Sequence, residues 1–265
     1  MEIPAERWYQ AVKKRSSRRQ FKSQIVEKFK IKKLSNLIEK INEEFEELRI
    51  VLVHRQVEEI FTGLLGSYGK ISGAPAYLAF VGQKDAPRIK EKIGYGGEAV
   101  ILEATALELG SCWVSGTFKA DKVKSDLDLK EKEKLYAISP LGYPEEKPTI
   151  SERILKTVIS SKNRIDLEKL IINKDNPEEL PESIKTALEA ARLAPSAVNR
   201  QPWRFKVGEN KIIIELDSTA ENEEKQKNLD CGIAMLHLEV GALKAGVKGH
   251  WQYLEGKEVA VFLMD

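Results

Sequence analysis

The sequence has little of the chemistry that marks disulfide-rich or metal-binding proteins. Its two cysteines, Cys112 and Cys231, lie in separate apolar stretches, which is typical of small buried side chains and not of a disulfide framework. Its three histidines, His54, His237 and His250, are scattered without metal-ligand spacing, and we expect His237 to pack in the core. A chain of 265 residues with 42% hydrophobic residues can fold without disulfides or a structural metal ion.

The sequence also has little net charge. The 43 basic and 41 acidic residues leave a net charge of +2, which excludes a strong overall field for nucleic acid or anionic membranes. No apolar run is long enough to span a bilayer, and residues Met1 to Lys14 are too polar for a signal peptide. We therefore expect a cytoplasmic protein without nucleic-acid or membrane partners.

Apolar patterning predicts an α+β protein. Helical periodicity and short β-branched runs alternate along the chain, and Gly110 is expected to cap a long apolar helix in the left-handed conformation. The predicted helices are Trp8–Arg15, Glu27–Leu48, Gly94–Leu109 and Ile184–Leu193, and the predicted strands are Arg49–His54, Ala76–Val81, Leu135–Pro144 and one beginning at Trp203.

The two long apolar helical stretches resemble each other. At one constant separation, Leu102 matches Leu238, Ala106 matches Ala242 and Gly110 matches Gly246, while Gly96 matches Gly232. A tryptophan follows each stretch, at Trp113 and Trp251. Helical periodicity alone could produce such matches, but the paired glycines favour an internal duplication.

Two segments carry residues suited to binding a ligand. The first, here called the arginine segment, is Arg15–Arg19, whose three arginines and two serines could surround a phosphate or simply form a solvated helix end. The second, here called the Pro-Ser turn, is Pro195–Gln201, where proline stops a helix and polar side chains follow. It could line a heteroaromatic ring and a polyhydroxyl chain, or be a helix terminator with polar caps.

These motifs together resemble the nitroreductase family of FMN flavoproteins. The family pattern contains an arginine-rich serine motif, a Pro-Ser-x-x-Asn-x-Gln-Pro-Trp turn, a helix ending in Gly-x-x-Trp, and Leu-Gly-Tyr-Pro. All four occur here, the last at Leu141–Pro144, but the Pro-Ser turn comes after Leu-Gly-Tyr-Pro instead of near the arginines. Family members are homodimers with flavin at the subunit interface, so this order resembles two such halves fused in one chain.

The resemblance implies an α+β, nitroreductase-like fold with two related halves, each a mostly antiparallel sheet flanked by helices. Half one would be residues 1–165, with the phosphate motif and a linker arm, and half two would be the shorter residues 166–265. The chain would be a monomer that acts as an internal pseudo-dimer. It would bind one FMN, because the symmetry-related second site has lost its parts.

The resemblance also implies residue roles. Arg15, Ser17 and Arg19 would hold the phosphate, with Ser16 and Arg18 as secondary candidates, and Arg19 could instead reach the ribityl chain or the pyrimidine edge. The backbone of the segment Val114, Ser115, Gly116, here called the glycine loop, would approach flavin N5. It could also be only a turn between helix and strand. The residues expected to contact the cofactor from the second half are Pro195, Ser196, Ala197, Asn199 and Gln201, with Arg164 near the phosphate, Lys162 or Arg153 as its competitors, and Trp203 in the core.

The implied activity is NAD(P)H-dependent reduction of a small-molecule electron acceptor, a nitro or quinone-type compound, by a ping-pong mechanism. No Gly-x-Gly-x-x-Gly dinucleotide motif is present, so a nicotinamide would use the open face of the flavin. Other flavin chemistry of the same fold, such as reductive dehalogenation or flavin degradation, and a non-catalytic FMN-binding protein stay open as alternatives. A nucleic-acid-binding module based on the arginine segment is disfavoured by the balanced charge.

Overall fold

A computed structural model describes residues 1–61, 71–146, 163–173, 179–217 and 224–265, with side chains from residue 227 onward in the last range. The chain divides into two compact units. Unit 1 comprises Met1, Lys14–Ile89 and Ala99–Ser161, and unit 2 comprises Glu2–Lys13, Lys90–Glu98 and Lys162–Asp265. The sequence predicts that the two duplicated halves meet at residue 165, and this boundary stays a prediction.

Unit 1 is built on a four-stranded antiparallel sheet in the order β1-β2-β4-β3. Strand β2 is buried over its whole length except the last residue, and its residues Tyr77, Ala79 and Val81 belong to a core that also includes Phe21 and Ile138. The elements are β1 (Leu48–Val53), β2 (Ala76–Gln83), β3 (Gly110–Ser111), β4 (Glu133–Gly142), α2 (Lys28–Glu44), α3 (Glu58–Phe61) and α5 (Ala120–Leu127).

Unit 2 has a second four-stranded antiparallel sheet, in the order β5-β6-β8-β7. Its elements are α1 (Ala5–Lys14), whose last residue belongs to unit 1, α6 (Leu167–Leu170), α7 (Glu182–Arg192), β5 (Trp203–Val207), β6 (Lys211–Leu216), α8 (Glu224–Lys244), β7 (Gly249–Tyr253) and β8 (Glu258–Met264). Helix α4 (Ile89–Ala106) supplies residues Lys90–Glu98 to this unit and its later residues to unit 1.

The two sheets follow the same plan. In each, the first two strands are consecutive, a long helix follows the second strand, and the third strand lies at the edge beside the fourth. Both also have an irregularity at the same place, between Phe80 and Val81 in β2 and between Ile214 and Glu215 in β6. A shared bulge is a specific feature of a strand pair. The two sheets therefore support the predicted internal duplication and confirm the α+β fold.

Structural features define the correspondence between the halves more finely than the sequence did. Ser111 in β3 and Gly249 in β7 occupy the same register position beside the fourth strand. This separation also pairs Trp113 with Trp251, whereas the sequence matches of Gly110 with Gly246 and of Gly96 with Gly232 are displaced from it by two residues. Helical periodicity explains the displaced matches, since similar apolar residues recur along both helices.

The left-handed residue after α4 is Glu108, and not Gly110 as the sequence predicted. Glu108 has φ 64°, and the amide of Leu109 donates to Ala104 O at 2.9 Å, which closes the end of the helix. After α8, Gly246 has φ 81° and the amide of Val247 donates to Ala242 O at the same distance. Glu108 is thus the counterpart of Gly246, while Gly110 lies in β3 with Arg18, Phe21 and Pro144 packed around its Cα.

Within unit 2, helices α4 and α8 cross at two glycines. A Cβ on Gly94 would lie 2.1 Å from Leu229 O, and a Cβ on Gly232 would lie 2.0 Å from Glu91 O. The separation that pairs Trp113 with Trp251 also pairs Gly94 with Gly232 and Glu91 with Leu229, so the crossing is reciprocal. Among the described residues, no helix is long and apolar enough to cross a membrane.

Candidate functional site

The arginine segment leads into an extended arm fixed to the sheet of unit 1. Ser17 pairs with Ser111 in parallel, and the amide of Arg18 donates to Ser111 O at 2.8 Å. Three residues later, Phe21 pairs with Pro144 just after β4. The segment is therefore held by backbone hydrogen bonds at the edge strand β3, and it does not form the solvated helix end that we considered.

The side chains of the arginine segment differ in exposure. Arg19 is buried, Arg15, Ser17 and Arg18 are half-buried, and Ser16 is exposed. Arg18 donates from Nη2 to Glu145 O, while its buried Nε has no hydrogen-bond acceptor among the residues that the structure describes. A buried guanidinium N–H without an acceptor is costly, and an anionic ligand would satisfy it. The segment therefore suits a phosphate chemically.

The glycine loop lies in the same unit, directly after β3. Val114 is fully buried, and its N–H and C=O are both used in a bridge to Ile138, at 2.9 Å each. The amide of Val114 is therefore committed to the sheet. Within the described parts of the chain, the amides of Ser115 and Gly116 donate to no other residue. These two are the groups in the loop that could donate to a ligand.

The described part of the chain gives no reason for residue 116 to be glycine. None of the described residues lies within 4 Å of a Cβ built on Gly116, and the residue is not among the described glycines with positive φ. Neither the packing of the described residues nor the backbone conformation thus requires a residue without a side chain at this position. A ligand that lies close to the backbone would require it.

The corresponding place in unit 2 is closed. Strand β7 continues its pairing with β8 through Tyr253, and the amide of Leu254 donates to Val259 O at 3.0 Å. Leu254 is the counterpart of Gly116 at the separation that pairs the two tryptophans. A short hairpin therefore uses the amide that the glycine loop leaves available, whereas in unit 1 helix α5 lies between β3 and β4.

The Pro-Ser turn begins where α7 ends, and its backbone is strained. Val198, Asn199 and Gln201 have φ values of 46°, 58° and 51°, although none of them is glycine. A branched residue such as Val198 in this region costs on the order of 1–3 kcal/mol, so surrounding contacts must hold it there. Val198 is also exposed, which is unusual for a large apolar side chain in a fixed turn.

A network of amide side chains holds the turn. Gln201 is 3% exposed, and its Oε1 accepts from the amide of Ile165 at 2.8 Å while its own amide donates to Ser196 Oγ at 2.9 Å. Asn199 donates from Nδ2 to Asn163 O at 2.8 Å. Gln201 therefore acts mainly within the protein, and the hydroxyl proton of Ser196 is the group left to donate outward.

Arg164 lies against the Pro-Ser turn, in unit 2. Its Nη1 donates to Asn199 Oδ1 and its Nη2 donates to Leu193 O at 3.0 Å. Through these two hydrogen bonds Arg164 holds the turn in place. Its contact with a phosphate stays a prediction. Its two competitors from the sequence, Lys162 and Arg153, lie outside the described residues.

Sequence reasoning missed Asp230, a buried residue of α8. Its Oδ2 and Oδ1 accept from the amide of Ala197 at 3.1 and 3.3 Å. Burial raises the pKa of the Asp230 carboxyl to about 7, while the Ala197 amide and the charge of Arg200 act in the opposite direction. The signal in the sequence was a carboxylate beside the apolar run that begins at Cys231.

The structure thus groups the predicted site residues into two sets. In unit 1, the arginine segment and the glycine loop both attach to the sheet edge formed by β3 and β4. In unit 2, Arg164, Asn199, Gln201 and Ser196 form one hydrogen-bonded turn. That the two sets meet around one flavin stays a prediction.

Comparison with solved structures assigns the class of fold. The crystal structure of a "putative nitroreductase" from Thermotoga maritima aligns with a TM-score of 0.65 and 20% identity, over 100% of this chain and 96% of that one. An FMN-dependent nitroreductase from Clostridium difficile, at TM-score 0.46 and 21% identity, covers 63% of this chain and 98% of its own. Iodotyrosine deiodinase bound to FMN and 3-iodo-L-tyrosine, at TM-score 0.41 and 22% identity, covers 54% of this chain and 92% of its own. The fold is that of the nitroreductases.

The family follows from the sequence itself. Residues 7–242 match the family model described as "Putative TM nitroreductase", and the chain belongs to this nitroreductase family. No curated protein matches the chain. Membership of the family supports an oxidoreductase activity.

Proposed function

We propose that the protein is an FMN-dependent oxidoreductase with one flavin site per chain, which uses NAD(P)H to reduce a small-molecule acceptor of the nitro or quinone type. The observation that carries the proposal is the glycine loop: among the residues that the structure describes, two of its amides have no acceptor and its glycine is not required by packing. An isoalloxazine ring lying against the backbone gives this glycine a role. Bound FMN would supply the redox chemistry, taking hydride from the nicotinamide and returning two electrons to the acceptor.

The protein's own residues would bind and orient the cofactor. Arg15, Ser17 and Arg19 would hold the phosphate with guanidinium and hydroxyl donors, and Arg18 would add its buried Nε. The amides of Ser115 and Gly116 would face the reactive edge of the ring. The Pro-Ser turn, through Pro195, Ser196, Ala197 and Asn199, would line the ribityl chain and the ring edge, with Gln201 and Arg164 holding the turn in place.

The difference between the two sheets supports a single flavin site per chain. Gly116 leaves its amide available in unit 1, while its counterpart Leu254 uses its amide in a hairpin. A second flavin at the corresponding place in unit 2 would lack this donor. We therefore expect a monomer that acts as an internal pseudo-dimer and holds about one FMN per chain.

Cofactor content and turnover test the proposal. Flavin released from the purified protein is identified and quantified per chain, and oxidation of NADH and NADPH is followed with nitroaromatic and quinone acceptors. About one FMN per chain and acceptor-dependent turnover are expected. A protein that binds FMN but does not reduce acceptors would be a binding protein, and one that does not take up FMN would contradict the proposal.

The glycine loop is tested by Gly116→Val in the same protein. The new side chain enters space that the protein leaves open, so the free energy of unfolding without FMN should change by less than about 0.5 kcal/mol. The FMN dissociation constant should rise at least about tenfold because the side chain takes the place of the ring. Ser125→Ala, on the exposed side of α5, is the control, and an unchanged dissociation constant in Gly116→Val would contradict the assigned position.

A further inference from the structure

The Pro-Ser turn depends on a contact with helix α8. Its strained residues Val198 and Asn199 follow Ala197, whose amide donates to both oxygens of Asp230. Ala197 is thus the point at which the turn is attached to the helix. A substitution of Asp230 that releases Ala197 therefore also affects the strained residues Val198 and Asn199, which follow Ala197 in the chain.

Burying the carboxylate of Asp230 costs more free energy than a single hydrogen bond to the Ala197 amide would require. The residue is 5% exposed, and the amide of Ala197 is its one hydrogen-bond donor among the residues that the structure describes. A carboxylate can accept several hydrogen bonds, so a buried one with a single donor is poorly compensated. A neutral side chain could accept the same hydrogen bond without the cost of burying a charge.

The charged groups that act on Asp230 and on its neighbour Cys231 come from three elements. Arg200 acts on it from the turn, and Cys231 follows it on α8. Lys227 on α8 and Glu91 on α4 act on Cys231. Burial and the neighbouring carboxylates raise the pKa of the Cys231 thiol well above its usual value, so this thiol stays neutral near pH 7.

We propose that Asp230 is a positioning residue for the flavin: its carboxylate fixes the amide of Ala197 and so sets the conformation in which the Pro-Ser turn meets the cofactor. This inference rests on the proposed function. The ionised carboxylate accepts a stronger hydrogen bond than the protonated acid, so the turn is held more firmly as Asp230 loses its proton. Because the pKa of Asp230 is about 7, this change falls near neutral pH.

The experiment compares FMN binding to the flavin-free protein at about pH 6 and about pH 8.5, on either side of the Asp230 pKa. Wild type, Asp230→Asn and Asp230→Ala are titrated by flavin fluorescence. Asp166→Asn, a mostly exposed aspartate of the same unit, is the control. The phosphate of FMN also titrates in this range, but it contributes equally to every variant and cancels in the ratio of dissociation constants.

For wild type, the affinity should increase with pH by at least about threefold more than for Asp230→Asn, which cannot ionise. Asp230→Ala should weaken binding about tenfold or more at both pH values, because the amide of Ala197 then loses the carboxylate that accepts its hydrogen bond. Hydrogen exchange should show faster exchange at the Ala197 amide in Asp230→Ala and near wild-type exchange in Asp230→Asn. This measurement also shows whether the alanine variant is folded.

The outcomes separate the two proposals. A wild-type protein that binds FMN, with Asp230→Asn showing the same pH dependence, would overturn the role of Asp230 and leave the proposed function standing. So would an Asp230→Ala variant that is folded and binds FMN as wild type does. A wild-type protein that takes up no FMN at either pH would overturn both.

Discussion

The side-chain oxygen of Gln201 accepts a hydrogen bond from the backbone amide of Ile165 at 2.8 Å, across more than thirty residues of sequence. Gln201 is buried, whereas its partner Ile165 is half-buried. The same side chain donates to Asn163 O and Asn199 O. It therefore joins the segment before α6 to the Pro-Ser turn.

We expect Gln201→Ala to lower the free energy of unfolding by about 1–3 kcal/mol, since it removes a buried amide side chain together with its hydrogen bonds to three backbone groups. Chemical denaturation of the flavin-free protein measures this. The matched control is Gln252→Ala, an exposed glutamine of β7, which should change the free energy by less than about 0.5 kcal/mol. Equal effects of the two substitutions would contradict the structural role of Gln201.

The crossing of α4 and α8 predicts a large effect of small substitutions. Gly94→Ala and Gly232→Ala would each place a methyl group about 2 Å from a backbone carbonyl oxygen, which cannot rotate away. Alanine normally stabilises a helix by about 1 kcal/mol relative to glycine, but the overpacking should outweigh this and destabilise by about 1–3 kcal/mol or more. Thermal unfolding decides the sign, and higher stability in both variants would contradict the close approach of the helices.

The pKa of Asp230 predicts how stability changes with pH. Its value of about 7 in the folded protein lies above the ordinary 3.8, so between these values the folded state binds more protons than the unfolded state. The free energy of unfolding therefore falls as the pH rises through this range. Asp230→Asn lacks this loss, and its stability relative to wild type should be about 2 kcal/mol higher at pH 8 than at pH 5.

Denaturant unfolding at the two pH values measures this difference. Asp166→Asn again serves as the control, because its side chain is mostly exposed. A stability difference between Asp230→Asn and wild type that does not change with pH would show that Asp230 is ionised in the folded protein throughout this range.

The arginine segment is tested by Arg19→Lys, which keeps the charge and removes the planar guanidinium. Under the proposed function, the FMN dissociation constant should rise about tenfold because the paired hydrogen bonds to a phosphate are lost. Fluorescence titration at low and high salt measures it, with Arg7→Lys on an exposed face of α1 as the control. Equal affinities for both variants would show that Arg19 does not contact the phosphate.

The sequence predicted the elements of the fold better than their ends. The run Ala76–Val81 forms most of strand β2, because consecutive apolar residues suit a strand buried on both faces. The helix predicted over Glu27–Leu48 ends at Glu44, since its apolar pattern runs on into β1, where Leu48 is the first residue. Gly110 was the wrong cap because a non-glycine residue, Glu108, takes the left-handed conformation.

The site could be predicted only as far as local motifs extend. The segments around Arg15 and Ser196 are visible in sequence because several polar residues cluster there. The role of Asp230 depends on a hydrogen bond to a backbone amide more than thirty residues away, which no local pattern shows. The closed hairpin at Leu254 depends on the register between two strands, and its own sequence has no feature that distinguishes it from other turns.

The open glycine loop after Trp113 and the closed hairpin after Trp251 could not coexist in a symmetric homodimer, because both subunits have the same sequence and every substitution occurs in both. Joining the halves in one polypeptide removes that constraint. Mutations that reshape the loop at Gly116 leave the hairpin at Leu254 as it is, so an engineer can vary one side of the molecule for a new substrate while the other continues to support folding.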